Sequence, residues 1–225
     1  MNYLIDPSVT GVDPCGTLIF AHGAGALMDS NYMQLLTAEL NAAGVAVVRF
    51  EFPYMQQRRE IGKKRPPDRQ PILLNCWRQV YEEISGHTDL PLPLLIGGKS
   101  MGGRMASLVA DELGVSGLCC FGYPFHPVKK PEKMRTEHLL AIKTPTFIFQ
   151  GTRDPLGKPD ELSDIIFSEA LNIRWLKDGD HDLKPRKSSG LTQLQHLKTV
   201  AAMVADFALS LGGKVQTYSP HHRRL

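Results

Sequence analysis

The stretch GGKSMGG, Gly97 to Gly103, is compatible with two chemistries. Gly98-Lys99-Ser100 ends like a phosphate-binding loop, whereas Gly98-Lys99-Ser100-Met101-Gly102 fits G-x-S-x-G, a turn that presents a nucleophilic serine. A phosphate loop needs G-x-x-x-x-G-K-[ST], and position 93, where its first glycine belongs, is Pro93. Leu94, Leu95, Ile96 and Gly97 read as strand, so no flexible backbone is left to wrap a phosphate. The nucleophile turn fits the context better. It brings the residues two before and two after the serine together, and here both are glycine, Gly98 and Gly102, with Gly103 also small.

A serine hydroxyl is a weak nucleophile until a base takes its proton, and histidine suits that task near neutral pH. Of the eight histidines, His181 in DGDHDL lies just past an apolar run and before the last amphipathic segment. In hydrolases built on a parallel sheet the chain order is Ser, then acid, then His. Asp154 in GTRDPLG, directly after PTFIFQG, meets the requirement for the acid that orients the imidazole. Asp178, Asp180 and Asp182 flank His181 too closely in sequence to orient its ring easily. The amide of Met101 is expected to supply one oxyanion donor. The loop in FAHGAG is expected to supply the other, from Ala24 with Gly25 behind it. His22 in that loop is read as an anchor for the loop and not as the base.

These residues must be carried by rigid elements. The runs at residues 17–21, 45–50, 93–97, 116–122, 145–151 and 172–176 are almost continuously apolar, as strands covered on both faces are. Amphipathic segments fall between them. Tyr32, Leu35, Leu36 and Leu40 share a face behind Asp29 and Ser30 as candidate caps, and Leu74, Trp77, Val80 and Ile84 share another. Helices are also expected from Ser100 to near Gly114, from Pro159 through Ile165 and Ile166, and from Leu191 to Leu211. Strand-helix alternation of this kind predicts an α/β fold with a mostly parallel central sheet and helices on both faces. A single domain over residues 1–214 is expected, with 215–225 as a frayed surface tail.

Composition sets outer bounds. In 225 residues, a formal net charge of +3 gives no argument for nucleic acid, and no apolar run reaches the ~20 residues needed to span a bilayer. The N-terminus has no basic segment followed by a long apolar core, so no secretion signal is read. Cys15, Cys76, Cys119 and Cys120 show neither C-x-x-C nor zinc spacing and are read as reduced structural thiols of a cytoplasmic protein. No metal or organic cofactor is implied.

The segments LIFAHGAGALMDS, GGKSMGGRMAS, FQGTRDPLG and DGDHDLKPRKSSG, in this order, resemble the small, lidless α/β-hydrolase family often described as predicted hydrolases. The likeness runs from about Gly16 to Leu211. It implies a compact α/β-hydrolase fold without a separate lid domain, with Ser100, Asp154 and His181 as catalytic residues. The family is also similar to animal proteins regarded as non-catalytic subunits of chromatin complexes, so a binding or scaffold protein on the same fold is the alternative.

The expected function is a serine esterase or thioesterase that works through an acyl-enzyme on a small-molecule acyl substrate, with no nucleic acid and no membrane as partner. Two basic stretches, Arg58 to Arg69 and Lys184 to Lys187, follow strands; they read as a solvated rim or as a bias toward anionic substrates. Only 125–143 is long enough to form a cap, and it is too short for a lid domain. Tyr54, Tyr123 and Phe125, just beyond strand ends, are candidate pocket walls that could equally be core.

Overall fold

The computed structural model describes residues 2–212, and the expected tail at 215–225 lies outside that span. Seven strands form one sheet in the order β1-β3-β2-β4-β5-β6-β7. They are β1 (Tyr3–Asp6), β2 (Gly16–Ala21), β3 (Val45–Phe50), β4 (Leu94–Lys99), β5 (Gly117–Phe121), β6 (Thr146–Gly151) and β7 (Leu171–Leu176). β2 to β7 pair in parallel, and among the described strands β1 alone runs antiparallel, against β3.

The continuous apolarity of the strands follows from two separate cores. Along β2, Ile19 and Ala21 enter one core while Leu18 and Phe20 enter the other, the alternation that a pleated strand imposes. Helices α3 (Gln70–Ser85) and α4 (Met101–Ser107) close the first face through Trp77, Val80, Ile84, Met105 and Ala106. Helices α1 (Asn31–Ala42) and α7 (Gln193–Gly212) close the second through Met33, Leu36, Leu40, Leu197, Val200 and Val204. The shorter helices are α2 (Pro53–Ile61), α5 (Ala110–Leu113) and α6 (Pro159–Leu162).

Several elements depart from what the sequence predicts. β1 is absent from the apolar pattern because it is a short edge strand with only partial burial; its Asp6 carboxylate pairs with Arg49 of β3 at 2.9 Å. Helix α2 occupies the start of the basic stretch expected to be loop, where Pro53 begins it and Gly62, in the left-handed region at φ 66°, ends it. The helix after Ser100 breaks into α4 and α5, and the one at Pro159 stops after a single turn, leaving Ile166 exposed. Ser30 stands at the N-cap of α1 without a side-chain capping bond, and Asp29 pairs with Arg59. The excursion after β5 holds only a short 3-10 turn, Glu137–Leu140, so no lid domain covers the sheet.

All four cysteines are free and buried. Burial raises each thiol above its ordinary pKa, with Cys76 pushed up to about 12. Among the described residues, no helix is long and apolar enough to cross a membrane.

Trp77 is fully buried, its ring edge-on to Phe50 with centroids 4.8 Å apart. Trp77→Ala should therefore cost about 3–5 kcal/mol. In urea unfolding the midpoint should fall while the slope stays constant; an unchanged midpoint would show that this face of the sheet contributes little.

Candidate functional site

The turn from β4 into α4 places Ser100 in a conformation that few L-residues adopt, φ 52° and ψ −116°. Glycine makes the turn sterically possible. A Cβ on Gly98 would lie 2.4 Å from the carbonyl carbon of Gly102, and one on Gly102 would lie 2.6 Å from the His22 carbonyl oxygen. The backbone is pinned on both sides, with Ser100 N–H donating to Phe121 O at 3.0 Å and Arg104 N–H donating to Ser100 O at 3.0 Å.

Asp154 sits in the turn after β6 and has no exposed surface. Its carboxylate accepts three hydrogen bonds, from His181 Nδ1–H at 2.8 Å, Gln150 Nε2–H at 2.9 Å and Leu156 N–H at 2.9 Å. The first fixes the imidazole tautomer and leaves Nε2 free of that bond. Gln150 is itself oriented, because its Oε1 accepts from Tyr123 N–H at 2.7 Å.

His181 lies in the loop after β7, which folds back toward the end of β5. A Cβ on Gly122, the residue after β5, would meet the His181 carbonyl oxygen at 2.6 Å. The same carbonyl accepts from Lys99 Nζ at 2.7 Å, and Lys99 also pairs with Asp182 Oδ1 at 3.2 Å. Lys99 is only 5% exposed. Burial pulls its ammonium below the ordinary lysine pKa, opposed by Asp182, Asp154 and Asp180. The flanking aspartates shape the loop. Asp180 Oδ1 accepts from the backbone N–H groups of Asp182 and Lys184, while Asp178 accepts from Arg186 and pairs with Arg153.

The loop after β2 lies against the nucleophile, since a Cβ on Gly23 would come within 3.7 Å of the Ser100 Cβ. His22 is fully committed there: Nδ1–H donates to Gly23 O at 2.7 Å, and Nε2 accepts from Phe52 N–H at 3.1 Å. Burial lowers its pKa, so it stays neutral. Tyr54 donates its hydroxyl to Ala24 O at 2.9 Å, and Glu51 accepts from Met28 N–H at 3.1 Å and from Arg59. The amides of Met101, Ala24 and Gly25 have no hydrogen-bond acceptor among the described residues.

The structure thus brings Asp154 into contact with His181 and packs the His181 loop against Gly122, the residue after Phe121, whose carbonyl accepts from Ser100 N–H. Among the described residues, Ser100 Oγ makes no hydrogen bond with the imidazole, a bond that often tightens only when substrate is bound. Tyr54, Tyr123 and Phe125 present no surface: each is 0% exposed, packed in the core behind the site and not along a wall. Gln150 and the tethering role of Lys99 escape sequence reading. Their only trace there is a polar residue at the end of an otherwise apolar strand. Among the described residues, no group of three or more His, Cys, Asp or Glu side chains is placed to hold a metal ion.

A mostly parallel sheet, a strained serine turn at the end of its central strand and an Asp–His pair on later loops define an α/β-hydrolase-type protein without a separate lid. The chain belongs to the alpha/beta hydrolase domain family, whose model matches residues 14–209. Solved structures share the fold at low identity. An alpha-beta serine hydrolase homologue from Coxiella burnetii is 17% identical with a TM-score of 0.68, covering 90% of each chain. A lidless a/b serine hydrolase from Xanthomonas campestris is 16% identical with a TM-score of 0.66, over 97% of this chain and 90% of the other. Est1E from Butyrivibrio proteoclasticus, with ferulic acid bound, is 16% identical with a TM-score of 0.68, over 95% of this chain and 96% of the other.

Because the obstacles around Gly102 are backbone atoms, Gly102→Ala should cost about 1–3 kcal/mol. Thermal unfolding of the variant should show a lower Tm; an unchanged Tm would mean that the turn tolerates a side chain there.

Proposed function

We propose that the protein is a serine hydrolase that cleaves a small acyl ester or thioester through an acyl-enzyme. The observation that carries this reading is the 2.8 Å bond between His181 Nδ1 and the buried Asp154 carboxylate, in a chain whose Ser100 holds a strained turn at the end of β4. In this mechanism His181 Nε2 takes the proton of Ser100 Oγ as the hydroxyl attacks the acyl carbon. Asp154 holds the tautomer and stabilises the imidazolium. The Met101 and Ala24 amides, with Gly25 behind them, receive the developing oxyanion. The imidazolium then protonates the leaving group, and a water attacks the acyl-enzyme by the same route reversed. The absence of a lid domain supports small or protruding acyl groups over long buried chains.

Lys99 acts as a positioning residue. It holds the His181 carbonyl and Asp182 from below, so the imidazole keeps its place while the adjacent turn stays fixed.

A fluorophosphonate probe should label Ser100, and Ser100→Ala should abolish labelling and lower ester turnover roughly 10⁴- to 10⁶-fold. Folded protein that resists the probe would favour a non-catalytic scaffold on this fold. Lys99→Met should lower kcat more than it raises KM, with partial recovery in Lys99→Arg. An unchanged kcat in Lys99→Met would reduce Lys99 to packing.

A further inference from the structure

One turn along α4 from Ser100, a cavity of about 510 Å³ opens between the start of α3 and the excursion after β5. Its lining includes Gln70, Arg104, Arg135, Glu137 and His138. Among the described residues, neither Arg104 nor Arg135 forms a salt bridge, although arginines elsewhere in this protein pair closely with carboxylates. Among the described residues, Arg104 Nε is buried without an acceptor, and Arg104 Nη2 reaches only Gln70 Oε1, at 3.5 Å. A buried donor of a charged group left unmatched is costly, more so than a neutral one.

The surroundings hold these two cations in place. Arg135 is fixed through its backbone, with N–H donating to Phe125 O at 2.7 Å and the carbonyl accepting from Tyr123 Oη–H at 3.1 Å. His138 Nε2 lies 2.8 Å from Ser107 Oγ and 3.5 Å from Tyr123 Oη. Burial, and then the charge of Arg104, push His138 down to about 4, so it is neutral at physiological pH and adds no third cation. Burial and Arg104 likewise lower Arg135. Among the described residues Glu137 is the one carboxylate in the lining, so two guanidinium groups outnumber it. The cavity also lies at the N-terminal, electropositive end of the 16-residue α3, whose N-cap makes no side-chain capping bond.

We infer that this cavity is a binding site for a small oxyanion, a phosphate or carboxylate group, held by the Arg104 and Arg135 guanidinium groups. Paired guanidinium forks match such planar or tetrahedral oxygens through two-point, charge-assisted hydrogen bonds. The oxyanion supplies the acceptor that Arg104 Nε lacks and relieves the repulsion between the two arginines. Two sources carry this chemistry. It can be a free anion, or it can be the charged end of the acyl substrate, since Arg104 and Ser100 belong to the same turn of chain. The site itself does not depend on the hydrolase reading.

Inorganic phosphate is the probe, titrated calorimetrically against the intact protein at constant ionic strength, with chloride as the control. Phosphate should bind at one site, and Arg104→Gln and Arg135→Gln should each weaken it at least ~10-fold, the equivalent of losing about 1.4 kcal/mol. Lys187→Gln, on a different loop, should leave it unchanged. Ser100→Ala should bind phosphate like the parent, which separates this site from the fate of the catalytic proposal. If Arg104→Gln fails to fold, Arg135→Gln alone decides. Competition by phosphate against a carboxylate-bearing aryl ester but not a neutral one assigns the site to substrate. Saturable binding without competition assigns it to a free anion. Absence of binding above the chloride control, or affinity unmoved by a folded arginine variant, overturns the site.

Discussion

Backbone contact at the centre of the sheet sets the geometry of everything around it. The turn after β4 presses against its own start and against the end of β2, with Gly98 and Gly102 at separations that leave no room for a Cβ. That crowding holds Ser100 at φ 52°. It also places the Gly23 loop against the serine, because β2 and β4 are hydrogen-bonded neighbours. Local strain of this kind persists only where surrounding structure over-determines it. Here two apolar cores, one on each face of the sheet, supply the constraint.

The site above the sheet is held by polar contacts more than by apolar packing. His22, neutral and bonded through both ring nitrogens, fixes the loop after β2. Lys99 and the bonds around Asp178 and Asp180 fix the loop that carries His181. A buried cation such as Lys99 is tolerable because its partners are supplied locally: a carbonyl at 2.7 Å and a carboxylate at 3.2 Å. Arg104 and Arg135 stand in contrast. They lie close enough to affect each other, yet no described acidic side chain pairs with either.

The central strands were legible in the sequence because burial on both faces forces near-continuous apolar runs, and no other element of this size produces them so regularly. Ser100, Asp154 and His181 could be singled out because strand ends are few and the order of residue types on them is restricted. β1 was hidden by its brevity and edge position. Helix α2 was hidden by Arg58, Arg59 and Glu60, which give its outer face the composition of a loop. The tethers through Lys99 and Gln150 depend on which chain segments meet in space, and residue spacing carries no such information. Tyr54, Tyr123 and Phe125 follow strand ends, as site-lining residues do, but their rings turn into the core while Tyr54 and Tyr123 spend their hydroxyls on backbone carbonyls.

The sequestered thiols bear on how the molecule meets oxidants and alkylating agents. Each cysteine is buried in the native state, and its elevated pKa keeps the reactive thiolate scarce. Disulfide exchange, glutathionylation and maleimide capture therefore have to wait for a breathing motion that parts the sheet from its helices. The rate at which these sulfurs become modified is thus a clock for opening of the interior, with Cys119 and Cys120 marking the middle of the sheet and Cys76 the helix α3 that covers it.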